Sequence, residues 1–171
     1  MDIPRAKDIL EKWFSITATL PDSCFSAYVL NRKSLYILLT NCETKNIDIQ
    51  KAVSSFSALV DSTSIGKPTP LSNAVKVFYG EKNPVYFKNA SAGMYKDFED
   101  IKNCIENVLE KVTSTPGMIY QVNTLGGKID DANFGAQSSY SHRGQNYLSE
   151  LKTYWQQSSQ ADKMVKAFEE E

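Results

Sequence analysis

The sequence is poor in the residues that most metal and redox sites need. Among its 171 residues, His142 is the only histidine, and Cys24, Cys42 and Cys104 are the only cysteines. One histidine excludes a histidine-rich metal site, and the cysteine spacing does not suggest a zinc site because it contains no Cys-x-x-Cys pair. The cysteines lie in apolar stretches, and we interpret them as buried free thiols in the reducing cytoplasm. The sequence therefore predicts no metal ligand and does not favour a catalytic thiol.

The chain also lacks a strong charge bias and long apolar runs. Its formal net charge is -1, so the chain lacks the excess of positive charge that is typical of proteins that bind nucleic acid or anionic lipid. No apolar segment follows the charged start of the chain, so we expect no signal peptide. No apolar stretch approaches the about 20 residues of a membrane span. We therefore expect a cytoplasmic protein that binds neither nucleic acid nor membrane.

Hydrophobic periodicity predicts both helices and strands. Apolar residues at helical spacing predict helices at about 4–20, 44 or 48 to 60, 97–113 and 158–168. β-rich runs predict strands at 23–30, 34–40, 84–91, 118–125 and 145–155, with a tight hairpin turn at 31–33. Residues 71–79 fit either a short helix or irregular structure. The order predicts a single α+β domain over residues 1–171, with an antiparallel sheet, helices on one face and a ferredoxin-like arrangement.

The sheet face that the helices leave uncovered is the candidate binding surface. Gln121 and Asn123 share one side of their strand because side chains alternate. Tyr28 and Tyr36 lie on the first hairpin, and Tyr147 lies on the last strand. We expect one face to combine these tyrosines with polar groups, a mixture that suits a small-molecule site. A partly solvated face with ordinary tyrosines is the alternative.

Two short motifs lie near the ends of the last strands. Gly126-Gly127 permits a positive φ or a close approach of another segment, and no helix follows it as a phosphate-binding loop would require. His142-Arg143 offers an imidazole and a guanidinium to a ligand, and a solvated surface turn is the alternative.

Four landmarks in order carry a family resemblance. They are Leu20-Pro21-Asp22 before a strand, Phe87-Lys88-Asn89-Ala90-Ser91, Gly126-Gly127, and Tyr140-Ser141-His142-Arg143. Together they resemble the substrate domain of FAD-linked oxidases of the berberine-bridge-enzyme and hydroxynicotine-oxidase type. In that family a Gly-Gly turn precedes a loop that ends in aromatic-Pro-His-Arg. The resemblance extends over nearly the whole chain.

The resemblance implies a substrate-binding domain of FAD-dependent oxidoreductases that oxidise small aromatic or alkaloid-like alcohols or amines, or sugars. The plant branch has a catalytic glutamate three residues before the first glycine of the pair, and Asn123 occupies that position here. An amide cannot act as a general base at neutral pH, so no catalytic residue is predicted. Ser141 stands where the family has proline.

The flavin-binding portion of the family is not found in this sequence. We therefore expect the chain to bind no cofactor by itself, and the resemblance implies an enzyme only together with a separate FAD-binding domain or subunit. That partner, or a second copy of the chain, would cover the open sheet face. The expected ligand-binding residues are Tyr28, Tyr36, Gln121, Asn123, His142 and Tyr147. The alternative of another class is a stand-alone small-molecule-binding or dimerisation module with no redox role.

Overall fold

A computed structural model describes residues 2–43, 47–78, 83–126, 129, 133 and 138–169, with the backbone alone for 47, 48, 77, 78, 91 and 92. The helices are α1 (Ile3–Thr17), α2 (Ile47–Ser57), α3 (Leu71–Ala74), α4 (Ile105–Ser114) and α5 (Ala161–Glu169). Short 3-10 turns cover Val75–Phe78, Phe98–Asp100 and Ser158–Gln160. The strands are β1 (Cys24–Asn31), β2 (Leu35–Asn41), β3 (Tyr86–Tyr95), β4 (Met118–Thr124) and β5 (Tyr147–Trp155). Within these described ranges, no helix is both long enough and apolar enough to cross a membrane.

The five strands form one antiparallel sheet in the order β2-β1-β4-β5-β3. The β1–β2 hairpin closes at Asn31, whose side-chain oxygen accepts hydrogen bonds from the backbone N–H groups of Lys33 at 2.8 Å and Ser34 at 2.9 Å. An asparagine side chain can satisfy a tight turn in this way, which explains the turn predicted at 31–33. The α+β class and the antiparallel sheet predicted from the sequence are confirmed.

Helices α1, α2, α4 and α5 pack on one face of the sheet. The core between the layers is built from apolar stripes of the helices and alternate strand residues, among them Leu10, Trp13, Phe14, Ala52, Phe56, Leu109, Val112, Leu30, Met118 and Val122. Trp13 is fully buried, and its indole Nε1 donates a hydrogen bond of 2.9 Å to Ser26 Oγ. The helix stripes read from the sequence therefore face the sheet, since each helix must bury its apolar side.

The single helix predicted over 97–113 is wrong in nearly its first half, residues 97–104. A 3-10 turn covers Phe98–Asp100, residues 101–104 form turns, and α4 begins only at Ile105. The carboxylate of Asp97 accepts the backbone N–H of Glu99 at 2.9 Å, and such a cap starts a new turn at this point. Phe98 is nevertheless buried. The apolar spacing before Ile105 thus correctly indicated buried residues, but these residues do not form a continuous helix.

The cysteines are free thiols, but the prediction that they are buried is wrong. Cys42 and Cys104 are exposed, and Cys24 is half-buried. Cys42 follows the end of the edge strand β2, and Cys104 precedes α4, so neither is held against the core by its element. Burial raises the pKa of the Cys24 thiol, which favours its protonated form.

Candidate ligand-binding face

The open face is the side of the sheet that faces away from α1, α2, α4 and α5. Side chains alternate along a strand and paired residues share a side, so the registers assign residues to this face. The open face includes Ala27, Tyr36, Leu38, Phe87, Met94, Gln121, Asn123, Leu148, Glu150, Lys152 and Tyr154. The face therefore combines polar groups on β4 and β5 with apolar and aromatic groups around them.

The centre of the open face carries four connected polar side chains, which we call the polar row: Asn123, Gln121, Lys152 and Glu150. Lys152 Nζ donates to Gln121 Oε1 at 3.3 Å, and Gln121 Nε2 donates to Asn123 Oδ1 at 2.8 Å. Lys152 also forms an ion pair with Glu150, and the two side chains are only 18% and 24% exposed. Partial burial reduces water screening, so these hydrogen bonds hold the amides more firmly than they would on a fully exposed surface.

Aromatic side chains border the polar row on the outer strands. Phe87 on β3 is 61% exposed and packs against Tyr154 on β5, with ring centroids 6.1 Å apart. Tyr36 on β2 is 43% exposed. Exposed aromatic groups beside a small set of oriented polar groups are typical of surfaces that bind a ligand or another protein.

Two of the six predicted site residues lie on the wrong side of the sheet. Tyr28 pairs with Val122, and Tyr147 pairs with Thr124, so both face the helices and not the side of Gln121 and Asn123. Both tyrosines are buried. The expectation that they share a face with the amides is wrong because strand register, which the sequence does not reveal, decides how one strand faces another.

The two buried tyrosines instead attach α1 to the sheet. The Tyr28 hydroxyl donates to the backbone carbonyl of Ala6 at 3.1 Å. The Tyr147 hydroxyl donates to the carbonyl of Phe14 at 3.2 Å and lies 3.1 Å from the Thr17 hydroxyl. Burial raises the pKa of both phenols, because the anion would lose its hydration. These side chains are structural members of the core.

Tyr147→Phe removes the hydroxyl that contacts α1, and we expect the free energy of unfolding to fall by about 1 kcal/mol. Tyr36→Phe is the matched control, because its hydroxyl lies on the exposed open face, and we expect a change within about 0.5 kcal/mol. Urea denaturation of the two variants measures both effects. Equal stability of Tyr147→Phe and the unsubstituted protein would contradict the structural role.

The loop before β5 places His142 at the surface. The ring of His142 meets the ring of Tyr140 edge-on, with centroids 5.6 Å apart. The guanidinium of Arg143 lies 5.6 Å from the centre of the Tyr140 ring. The described contacts do not join His142 to Gln121 or Asn123. The ligand role of His142 remains a prediction. Gly126 has no positive φ, and Gly127 lies outside the described residues.

The described residues do not fit the pyrophosphate of FAD. A helix amino terminus binds phosphate through free backbone N–H groups, and a carboxylate at that position opposes it. Asp2 caps α1, Glu106 lies in the first turn of α4, and Asp162 lies in the first turn of α5. Gly117, which has a positive φ, has its side-chain direction filled by the Tyr154 carbonyl. No step through flavin is therefore assigned to these residues.

A concave surface lies on the other side of the molecule, between α1 and α4. It is lined by Ile3, Pro4, Lys7, Asp8, Glu11, Glu106 and Glu110. Its lining has four carboxylates and one ammonium group, and Lys7 already forms an ion pair with Glu106. Charged side chains of this kind are usual on the solvated sides of helices. The open face, with its oriented amides and aromatic groups, is the better candidate.

Lys152 and Glu150 were missed as site residues by sequence reasoning. Alternation along β5 separates them from Tyr147 and Ser149, but it does not say which set faces Gln121. The register of β4 with β5 places Gln121 opposite Glu150, and this pairing brings both charged groups to the open face. The available signal for this site was a pair of charged residues, two positions apart, in a predicted strand of the sheet.

The chain resembles known proteins in fold and not in sequence. No protein-family model matches it, and no curated protein matches it. Berberine bridge enzyme, in a variant complexed with (S)-reticuline, has a TM-score of 0.70 with 15% identity over 97% of this chain and 36% of its own. GilR, an oxidoreductase of the terminal step of gilvocarcin biosynthesis solved with pregilvocarcin, has a TM-score of 0.75 with 11% identity over 98% of this chain and 38% of its own.

A third similar structure is BBE-like protein 28 from Arabidopsis thaliana, with a TM-score of 0.62 and 17% identity over 97% of this chain and 39% of its own. The chain thus spans between 36% and 39% of the length of these three proteins. The resemblance to FAD-linked oxidases inferred from the sequence is confirmed at the level of fold. The protein has the α+β fold of a domain found in berberine bridge enzyme and BBE-like proteins.

Proposed function

We propose that this chain is the substrate-binding domain of an FAD-linked oxidase system and that its open face binds a small aromatic molecule. The polar row is the observation that carries the proposal. Four hydrogen-bonded or ion-paired side chains in the middle of a half-buried sheet face hold two amides in a fixed orientation. Preorganised polar groups of this kind orient a ligand without the entropy cost of ordering them at the moment of binding.

The aromatic groups around the polar row supply the area that would hold the body of the ligand. Tyr36 borders it on one side, and Phe87 with Tyr154 borders it on the other. Aromatic rings stack well against flat ligands and lose little conformational entropy. Asn123 provides a hydrogen bond but no general base, so this side chain orients the substrate and does not itself remove a proton.

A second protein body would complete the site. Similar structures contain this fold as 36% to 39% of a longer chain, so the same fold is used there beside further protein. We propose that an FAD-binding domain or subunit covers the open face here. It would hold the flavin, since the amino termini of α1, α4 and α5 carry carboxylates at the positions a phosphate would need. The redox chemistry would then be the flavin's, and this chain would position the substrate.

Ligand mapping by NMR tests the placement. A panel of aromatic alcohols, ketones and amines is titrated into the labelled chain, and we expect amide shifts concentrated on β4, β5 and β2. Gln121→Ala should reduce the affinity of the ligands that bind by about fivefold to tenfold, because one oriented hydrogen-bonding group is lost. Glu110→Ala, on the exposed side of α4, is the matched control and should leave the affinity unchanged. Shifts confined to the helical side, insensitive to Gln121→Ala, would refute the proposal.

Dimerisation through the open face is the second candidate function. The exposed ring pair of Phe87 and Tyr154 favours it, because exposed aromatic side chains are common at association surfaces. Light scattering on the same samples separates the two candidates. A particle of 19.2 kDa leaves the face free for a different partner, whereas twice that mass indicates a homodimer.

A further inference from the structure

The polar row has a fixed direction. Lys152 carries an ammonium group, which has donors and no acceptor, so the group of Gln121 that faces it at 3.3 Å must be the oxygen. The NH2 group of Gln121 then faces Asn123, and the group of Asn123 that receives it at 2.8 Å must be the oxygen. The orientation of a side-chain amide follows from its hydrogen-bond network, and here the charge of Lys152 determines the orientation of both Gln121 and Asn123. The NH2 group of Asn123 is left as the free end.

The free end of the polar row lies in apolar surroundings. Asn123 is half-buried, and its cross-strand neighbours on the open face are Ala27 and Leu148. Leu38 and Met94 occupy the next strands outward. Among the described residues, Asn123 Nδ2 makes no hydrogen bond. In the free chain water can satisfy this N–H donor, because Asn123 is only half-buried. A ligand that covers the open face removes that water, so it must supply an acceptor or the donor is left without one at a cost in free energy.

We propose that the ligand of the open face is an apolar ring compound with a carbonyl oxygen, such as an aromatic ketone, lactone or quinone, and that this oxygen accepts a hydrogen bond from Asn123 Nδ2. The inference rests on the proposed function. Lys152 is a positioning residue, because its ammonium group prevents the amides of Gln121 and Asn123 from turning to present an acceptor to the ligand. A protonated amine of the same shape meets a donor instead of an acceptor and should therefore bind more weakly.

Two matched probes test the proposal on the full chain: acetophenone, and 1-phenylethylamine, which is protonated at neutral pH. We expect acetophenone to shift the Asn123 side-chain amide signals and to bind at least about fivefold to tenfold more tightly than the amine. Asn123→Asp keeps the size of the side chain and its bond from Gln121 but presents an acceptor, so the preference should reverse. Lys152→Met combined with Glu150→Gln should abolish the preference, because Gln121 can then turn.

The outcomes separate this inference from the proposed function. Equal affinities at the open face, unaffected by Asn123→Asp, would overturn the inference and leave the binding face in place. Failure of both probes and of the wider ligand panel to shift open-face signals would overturn the ligand and the proposed function together. The direction of the row is tested without any ligand: the Gln121 side-chain NH2 should exchange with water more slowly than that of Asn123, and the reverse order would refute it.

Discussion

Replacing Gly117 with alanine is expected to lower the free energy of unfolding by about 3 kcal/mol or more. Gly117 has φ of +81°, and a Cβ atom there would lie 2.4 Å from the backbone carbonyl oxygen of Tyr154. In addition, the backbone N–H of Tyr154 donates a hydrogen bond of 3.0 Å to the carbonyl oxygen of Gly117, so the start of β4 is held close to β5. Backbone cannot move aside as a flexible side chain could. Urea denaturation measures the loss.

Gly144 provides the matched control for this prediction. Its φ is also +81°, but among the described residues beyond its two chain neighbours a Cβ atom there would meet no atom within 4 Å. Gly144→Ala therefore carries only the left-handed backbone penalty, about 1–2 kcal/mol. A loss at Gly117 no larger than the loss at Gly144 would show that β4 and β5 do not approach each other as described.

The second large effect is expected at Trp13. This side chain is fully buried on α1, and its ring lies 5.3 Å from Phe14 and 5.5 Å from Tyr147, measured between centroids. Trp13→Ala should lower the free energy of unfolding by about 3–5 kcal/mol, because the cavity would sit where α1 meets the sheet. That is a large fraction of the about 5–15 kcal/mol that holds a domain together. Phe87→Ala, at an exposed ring, is the control and should cost less than about 1 kcal/mol.

A milder variant keeps this prediction measurable if Trp13→Ala yields no folded protein. Ser26→Ala leaves the ring in place and removes the acceptor of its Nε1 hydrogen bond. A buried N–H group without a partner should cost about 1–3 kcal/mol. Stability unchanged in Ser26→Ala would mean that the indole of Trp13 does not depend on β1.

Local patterns in the sequence were sufficient for several elements. The apolar stripe of α1 predicted which residues enter the core, and the Asn31 turn predicted the β1–β2 hairpin. Alternation in β4 correctly placed Gln121 with Asn123 and Tyr120 with Val122. Each of these properties depends on residues within a few positions of one another, so a single segment contains the information.

The sequence by itself determined the α+β class, the β1–β2 hairpin and which residues of each strand share a side. Only the tertiary structure decided how those sides combine between strands: it placed Tyr28 and Tyr147 under the helices, and it placed Lys152 and Glu150 beside Gln121. The physical reason is that side-chain alternation has a period of two, so a shift of one residue in register exchanges the two faces. Register is fixed by pairing between segments far apart in the chain, and the direction of the polar row follows from that pairing.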